Sequence, residues 1–230
     1  LEKSKVIEKL FEYIVIYSYL ILPLLFLITK TKKRDGKIMA IYGLVFWVLL
    51  FFYHDIPKEF RKPVYQPIYT SLEYLFFASL FYFNMESRKF KKLIIGLSVL
   101  FIIFQGVYVI VFEKNRVDSI SIGVESILIF VYIFLFFFEN LTNTTSGIYI
   151  YSNHCFWISL GLLFYLGGSF FINILADSFT DEEWAKYWYL NYIADTVKTL
   201  FFAVALIIQS NNAKKNIESK SSSVPYLDMI

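Results

Sequence analysis

The chain has 230 residues, 57% of them hydrophobic and 21% aromatic, with 26 Phe, 18 Tyr and a formal net charge of +3. Water-soluble domains of this size run at about 45–50% apolar, so composition excludes an ordinary soluble enzyme, and the small, scattered charge gives no basis for binding nucleic acid. The single cysteine, Cys155, excludes an intrachain disulfide and any cysteine-based metal cluster.

The apolar excess lies in long blocks. Segments such as IVIYSYLILPLLFLI and LIIGLSVLFIIFQGVYVIVF are continuously apolar rather than alternating, which excludes barrel strands. About 20 such residues match a hydrocarbon core of roughly 30 Å, and in lipid they must be helices to satisfy their own backbone. Ahead of the first block, LEKSKVIEKLF shows no cleavable signal pattern. Seven spans are predicted in chain order, at 12–28, 38–53, 65–83, 93–112, 117–138, 155–176 and 185–209. The segments TKTKKRDGK, HDIPKEFRKP, NMESRKFKK, EKNRVD, ENLTNTTSGIYIYSNH and ADSFTDEE divide them, each rich in charge, Pro or polar groups. The predicted fold class is therefore an all-α membrane protein, a seven-transmembrane-helix bundle over 1–210. A polar, Ser-rich tail over 211–230 is expected to be a disordered cytoplasmic end.

Lys and Arg set the orientation. With the first loop cytoplasmic, the inner segments hold 12 basic residues and the outer ones 9, Lys198 apart. That places the N-terminus outside and the C-terminus inside. The loop 140–153 contributes no charge to this balance; it contains two glycosylation-type sequons, at Asn140 and Asn143, a pattern that arises often by chance.

Charges inside the spans carry the functional signal. An ionised side chain at mid-helix costs about 2.5–3.5 kcal/mol on insertion scales, and such groups face the bundle interior. Glu73 falls in the third span, Glu125 in the fifth, and Asp195 and Lys198 in the seventh. In the predicted topology all three helices run inward, and the three carboxyls share a depth of roughly 12–15 Å, with Lys198 one turn deeper. Asn191, Asp195 and Lys198 lie at i, i+4 and i+7 on one face. Tyr69 shares a face with Glu73. Ser121, Glu125 and Tyr132 share another. Tyr165, Ser169, Asn173 and Asp177 form a stripe on the sixth helix, while Gln105 and Tyr17 sit at comparable depth. The pattern predicts a polar cavity in the outer half, open or nearly open to the outside, with Glu73, Glu125, Asn191, Asp195, Lys198, Asn173, Tyr69 and Gln105 as ligand-binding residues. Three carboxyls facing one amine would carry net −2, so a protonated carboxyl or a resident cation is expected, with Asp195 paired to Lys198.

Other features have plainer readings. Trp184, Trp188 and nearby tyrosines suit an interfacial belt. Gly161, Gly167, Gly168 and Ser169 suit close helix packing. His54 and His154 fall on opposite faces, so no metal site is expected, and no nucleophile-elbow, zinc-protease or P-loop pattern appears, so no cofactor is expected.

A lysine in the seventh helix, with a carboxylate one turn earlier and an acid on the third, looks like the layout of retinal proteins. Their four-residue gap is three here, and their third-helix arginine and sixth-helix aromatic-proline signature are missing. The segments YTSLEYLFFASLFY, VESILIFVYIF, FWISLGLLFYLGGSFF and NYIADTVKTLFFA resemble small seven-helix inner-membrane proteins of Bacteroidota. Similar segments occur near sensor histidine kinases, so the resemblance implies a multi-pass protein of the bacterial inner membrane that acts as a sensor or its accessory subunit. The leading expectation is a receptor-like module whose polar layer takes a small ligand or ion and signals through a cytoplasmic partner such as a histidine kinase. The alternatives are an enzyme acting on a lipid or amphiphile by carboxylate acid–base chemistry, and a proton or cation pathway.

Overall fold

The computed structural model describes residues 2–30, 33–111, 119–142, 150–175 and 181–221; Asp177 and the end of the tail lie outside these. Side chains are described for most of them, excluding among others Asn173, Trp184 and Trp188. The described residues are helices joined by turns, with no strand. In chain order they are α1 (Glu2–Ser18), α2 (Ile21–Thr29), α3 (Arg34–Phe51), the short α4 (Lys58–Phe60), α5 (Gln66–Asn84), α6 (Arg88–Val111), α7 (Ser119–Thr142), α8 (His154–Leu175) and α9 (Asp181–Ser221).

α1 and α2 together form the first column, broken at Tyr19–Leu20. Pro23 explains the break. It has no N–H to give the Tyr19 carbonyl, so Leu22 N–H bonds that carbonyl in a tighter turn at 3.3 Å. The kinked column then lies close on α3, where Gly43 makes room: a Cβ there would sit 2.6 Å from Tyr19 O and 2.9 Å from Pro23 Cδ.

Five stretches are long and apolar enough to cross a membrane: Lys9–Thr29, Arg34–Asp55, Arg88–Val111, Ile120–Thr142 and Tyr189–Ala213. His154–Phe170 is a shorter apolar helix. α5 completes the seven columns. Its hydropathy is lowered by Gln66, Thr70, Glu73 and Asn84, and its neighbours take up that polarity: it packs against α3, α6, α7 and α8, and Thr70 and Glu73 are both buried. The columns follow one another around the bundle, and the last closes it by packing on the first, α9 against α1 and α2. The most extensive pairing is α8 with α9. Gly161 and Gly168 allow it, since added Cβ atoms would meet Phe201 Cβ at 2.7 Å and Ala194 Cβ at 3.0 Å. Gly167 differs from the packing role expected of it, because it faces open space.

The outside of the bundle is apolar. Leu27, Ile110, Phe134 and Leu141 are all exposed, as a lipid-facing surface requires. The inside is aromatic, with Tyr42 at its centre contacting the rings of Tyr19, Phe46, Phe76, Phe77 and Phe202. A second correction concerns the tail. α9 continues to Ser221, so residues 211–221 are helical rather than disordered. NAKKNIESK contains good helix formers, and extending an existing helix avoids the cost of nucleation.

Candidate functional site

One turn of α9 puts Asp195 and Lys198 on the inner face of the bundle. The Lys198 side chain is fully buried, and its Nζ lies 2.5 Å from Asp195 Oδ1 and 2.9 Å from Glu73 Oε1 on α5. Its third donor reaches Tyr19 OH at 3.3 Å. Tyr19 in turn donates to both oxygens of Asp195, at 2.9 Å each. Glu73 accepts two further hydroxyls, from Tyr42 on α3 at 3.2 Å and Tyr165 on α8 at 3.1 Å. One ammonium thus joins five helical columns.

The rings complete the setting. The Tyr165 ring centroid lies 3.8 Å from Nζ, and Tyr19, Tyr42 and Phe77 present their rings at 5.5–5.6 Å. A desolvated ammonium against ring faces gains up to about 2 kcal/mol from the quadrupole. That offsets part of a desolvation cost of several kcal/mol per buried ion, most of which the two carboxylates must repay. Close helix approach keeps the lysine enclosed, for a Cβ at Gly161 would lie 3.2 Å from the Lys198 carbonyl oxygen.

The site residues expected from sequence divide into groups. Glu73, Asp195 and Lys198 meet. Asn191 lies one turn before Asp195, with both polar atoms of its amide buried and unpaired. Tyr69 packs its ring edge-on against Phe46 at 4.8 Å. Glu125 is buried, but the ion pairs of Lys198 go to Glu73 and Asp195. Gln105 belongs to a different network: it accepts from Ser121 on α7 and donates to the Pro67 carbonyl at 3.5 Å. Nearby, Tyr74 OH meets Tyr132 OH at 2.7 Å and Ser98 Oγ at 3.0 Å. These contacts tie α5, α6 and α7 together apart from the ion pairs. Asn173 lies in α8 with its side chain outside the described set, as is the whole of Asp177.

Two expectations are corrected. Tyr17 points outward, half-exposed, and Tyr19 takes its place, because Tyr19 continues the buried face of Val15 and Leu22 at i+4 and i+7 spacing while Tyr17 falls on the opposite side. The open polar chamber is instead a packed core: Lys198, Glu73 and Asp195 have side-chain exposures of 0%, 4% and 10%. Tyr19 and Tyr42 were missed as members. Their signal lies in the helical spacing of Val15, Tyr19 and Leu22 and of Tyr42 and Phe46, neither of which marks a hydroxyl as inward by itself.

The bundle also has a polar lock at its other end. His154 Nε2 lies 2.9 Å from Asp35 Oδ2, and Gln209 Nε2 on α9 donates to that oxygen at 3.4 Å. Asn212 donates to the Ser152 carbonyl at 2.8 Å. Glu139 on α7 caps the start of α6, accepting the backbone N–H of Glu86 at 3.0 Å and of Ser87 at 2.5 Å. Among the described residues, no group of His, Cys, Asp and Glu could hold a metal ion.

No protein-family model matches the chain, and no curated protein or solved structure does either.

Proposed function

We propose that the chain is a seven-span sensor or receptor-like module, with its N-terminus outside and its C-terminus in the cytoplasm of a bacterium. It responds at the Glu73–Lys198–Asp195 cluster to a small ligand or ion and signals through a cytoplasmic partner of the histidine-kinase class. The observation that supports this is the convergence of five helical columns on one buried ammonium. Whatever competes for a carboxylate there, a proton, a cation or a ligand amine, releases several helices at once. The unpaired Asn191 amide, one turn outward, supplies a hydrogen-bonding position beside the cluster. α9 carries Lys198 at this level and Gln209 in the opposite lock, about 16 Å further along. A change in the first contact therefore bears on the second through one helix.

The enzyme reading has less support. The oxygens of Glu73 and Asp195 already accept hydrogen bonds from this chain, so neither of these two carboxylates stands as a free base in this conformation. The test is affinity purification of the full chain from its own membranes, followed by phosphorylation analysis of what it carries. A co-purifying kinase is expected, with its phosphorylation changed by Glu73→Gln and Lys198→Met at equal recovery. Capture of no such protein, or phosphorylation indifferent to both substitutions, overturns the sensor reading.

A further inference from the structure

A recess lies at the opposite end of the first column from the α2–α3 turn. Lys9, Glu12, Tyr13, Ile16 and Tyr17 occupy successive turns on one face of α1. Phe51 at the end of α3 and His54 in the following turn close the other side, enclosing about 360 Å³. Its mouth is charged: His54 Nε2 lies 2.6 Å from Glu12 Oε1, and Lys9 stands one turn away on the same helix. Its floor is Ile16, only 6% exposed, and Tyr13, Tyr17 and Phe51 line a flank open to the surroundings of the bundle.

We propose that this recess binds the headgroup of an aminophospholipid, the phosphate on Lys9 and the primary ammonium on Glu12, whose carboxylate His54 holds in place. Lys9 begins the span Lys9–Thr29 and His54 nearly ends Arg34–Asp55, so the charged mouth falls at the level where lipid headgroups lie. From Lys9 to Tyr17 the recess descends about 12 Å, the distance from headgroup to upper acyl chain. The volume is at the low end for ligand pockets, which fits a headgroup with its glycerol while the chains run along the exposed rings. Both signs of charge at one mouth match a zwitterion better than an anionic lipid. A carboxylate rewards a donor N–H, which ethanolamine has and choline lacks. The inference rests on membrane embedding and not on the sensor reading, so the two fail separately.

Native mass spectrometry of the full chain in mild detergent tests it, with phosphatidylethanolamine, phosphatidylcholine and phosphatidylglycerol of matched chains at equal concentration. Retention of phosphatidylethanolamine about tenfold above the other two is expected, the worth of one charge-assisted hydrogen bond. Glu12→Gln is expected to reduce it to the phosphatidylcholine level, and Lys9→Ala to lower both zwitterionic lipids together. Equal retention of all three, preference for phosphatidylglycerol, or a preference that survives Glu12→Gln in a normally folded protein overturns the proposal.

Discussion

Replacing Lys198 by Met keeps most of the side-chain volume and removes the ammonium that two carboxylates share. Breaking a buried pair by deleting one partner costs about 3–5 kcal/mol, and Lys198→Met leaves Glu73 and Asp195 facing the same apolar space. Glu73→Gln is milder. The ammonium keeps Asp195 at 2.5 Å and Tyr19 at 3.3 Å, so the loss is about 1.5–3 kcal/mol, the range of one charge-assisted hydrogen bond. The double variant decides the matter. Both single changes remove the same charge–charge pairing across the 2.9 Å contact, so their sum counts it twice. The pair is therefore expected to be sub-additive by at least about 1.5 kcal/mol. Reversible unfolding in mixed micelles, titrated with denaturing detergent, gives the four corners of the cycle. Additivity within about 0.5 kcal/mol would show that the two groups do not interact, and the cluster would lose its centre.

Further substitutions probe the surroundings by the same unfolding assay. Tyr165→Phe is expected to lose about 1.5–3 kcal/mol with the hydroxyl's bond to the Glu73 carboxylate, while Tyr165→Leu loses about 1–2 kcal/mol more with the ring over the ammonium; equal losses would deny the ring a role. Gly43→Ala forces a carbon against the Tyr19 carbonyl and is expected to cost about 1–3 kcal/mol, whereas Gly167→Ala, which meets nothing, should stay within about 0.5 kcal/mol of the parent; the reverse order would refute the packing of α2 on α3. Glu139→Ala strips the acceptor from two backbone N–H groups and is expected to lose about 1–2 kcal/mol, with faster amide exchange at Glu86 and Ser87; unchanged exchange there would refute the cap.

Helix class and approximate spans were legible because lipid leaves the backbone few options and apolar block length reports the rest. The convergence of Glu73 with Asp195 and Lys198 was legible from charge alone, since three costly groups at one depth have a strong incentive to meet. The hydroxyl partners were not. Tyr is abundant here and most of its copies are indistinguishable by pattern, so choosing Tyr19 over Tyr17 requires knowing which face of the first column turns inward, and that is the face of Val15, Tyr19 and Leu22. Gln105 and Glu125 share the depth of the cluster without joining its ion pairs, because depth fixes only one coordinate and the bundle angle fixes the other. The Asp35–His154 contact joins residues 119 apart in the chain, and no local spacing announces it.

α9 is 41 residues long, about 60 Å, twice the thickness of a hydrocarbon core. From Lys198 to Ser221 it extends on the order of 35 Å as a single helix. A tilt of about 5° at the level of the ammonium would swing the far tip by roughly 3 Å, the width of a hydrogen bond. By length alone, a small rotation of this helix at the level of one charge would displace its far end by a distance comparable to a hydrogen bond.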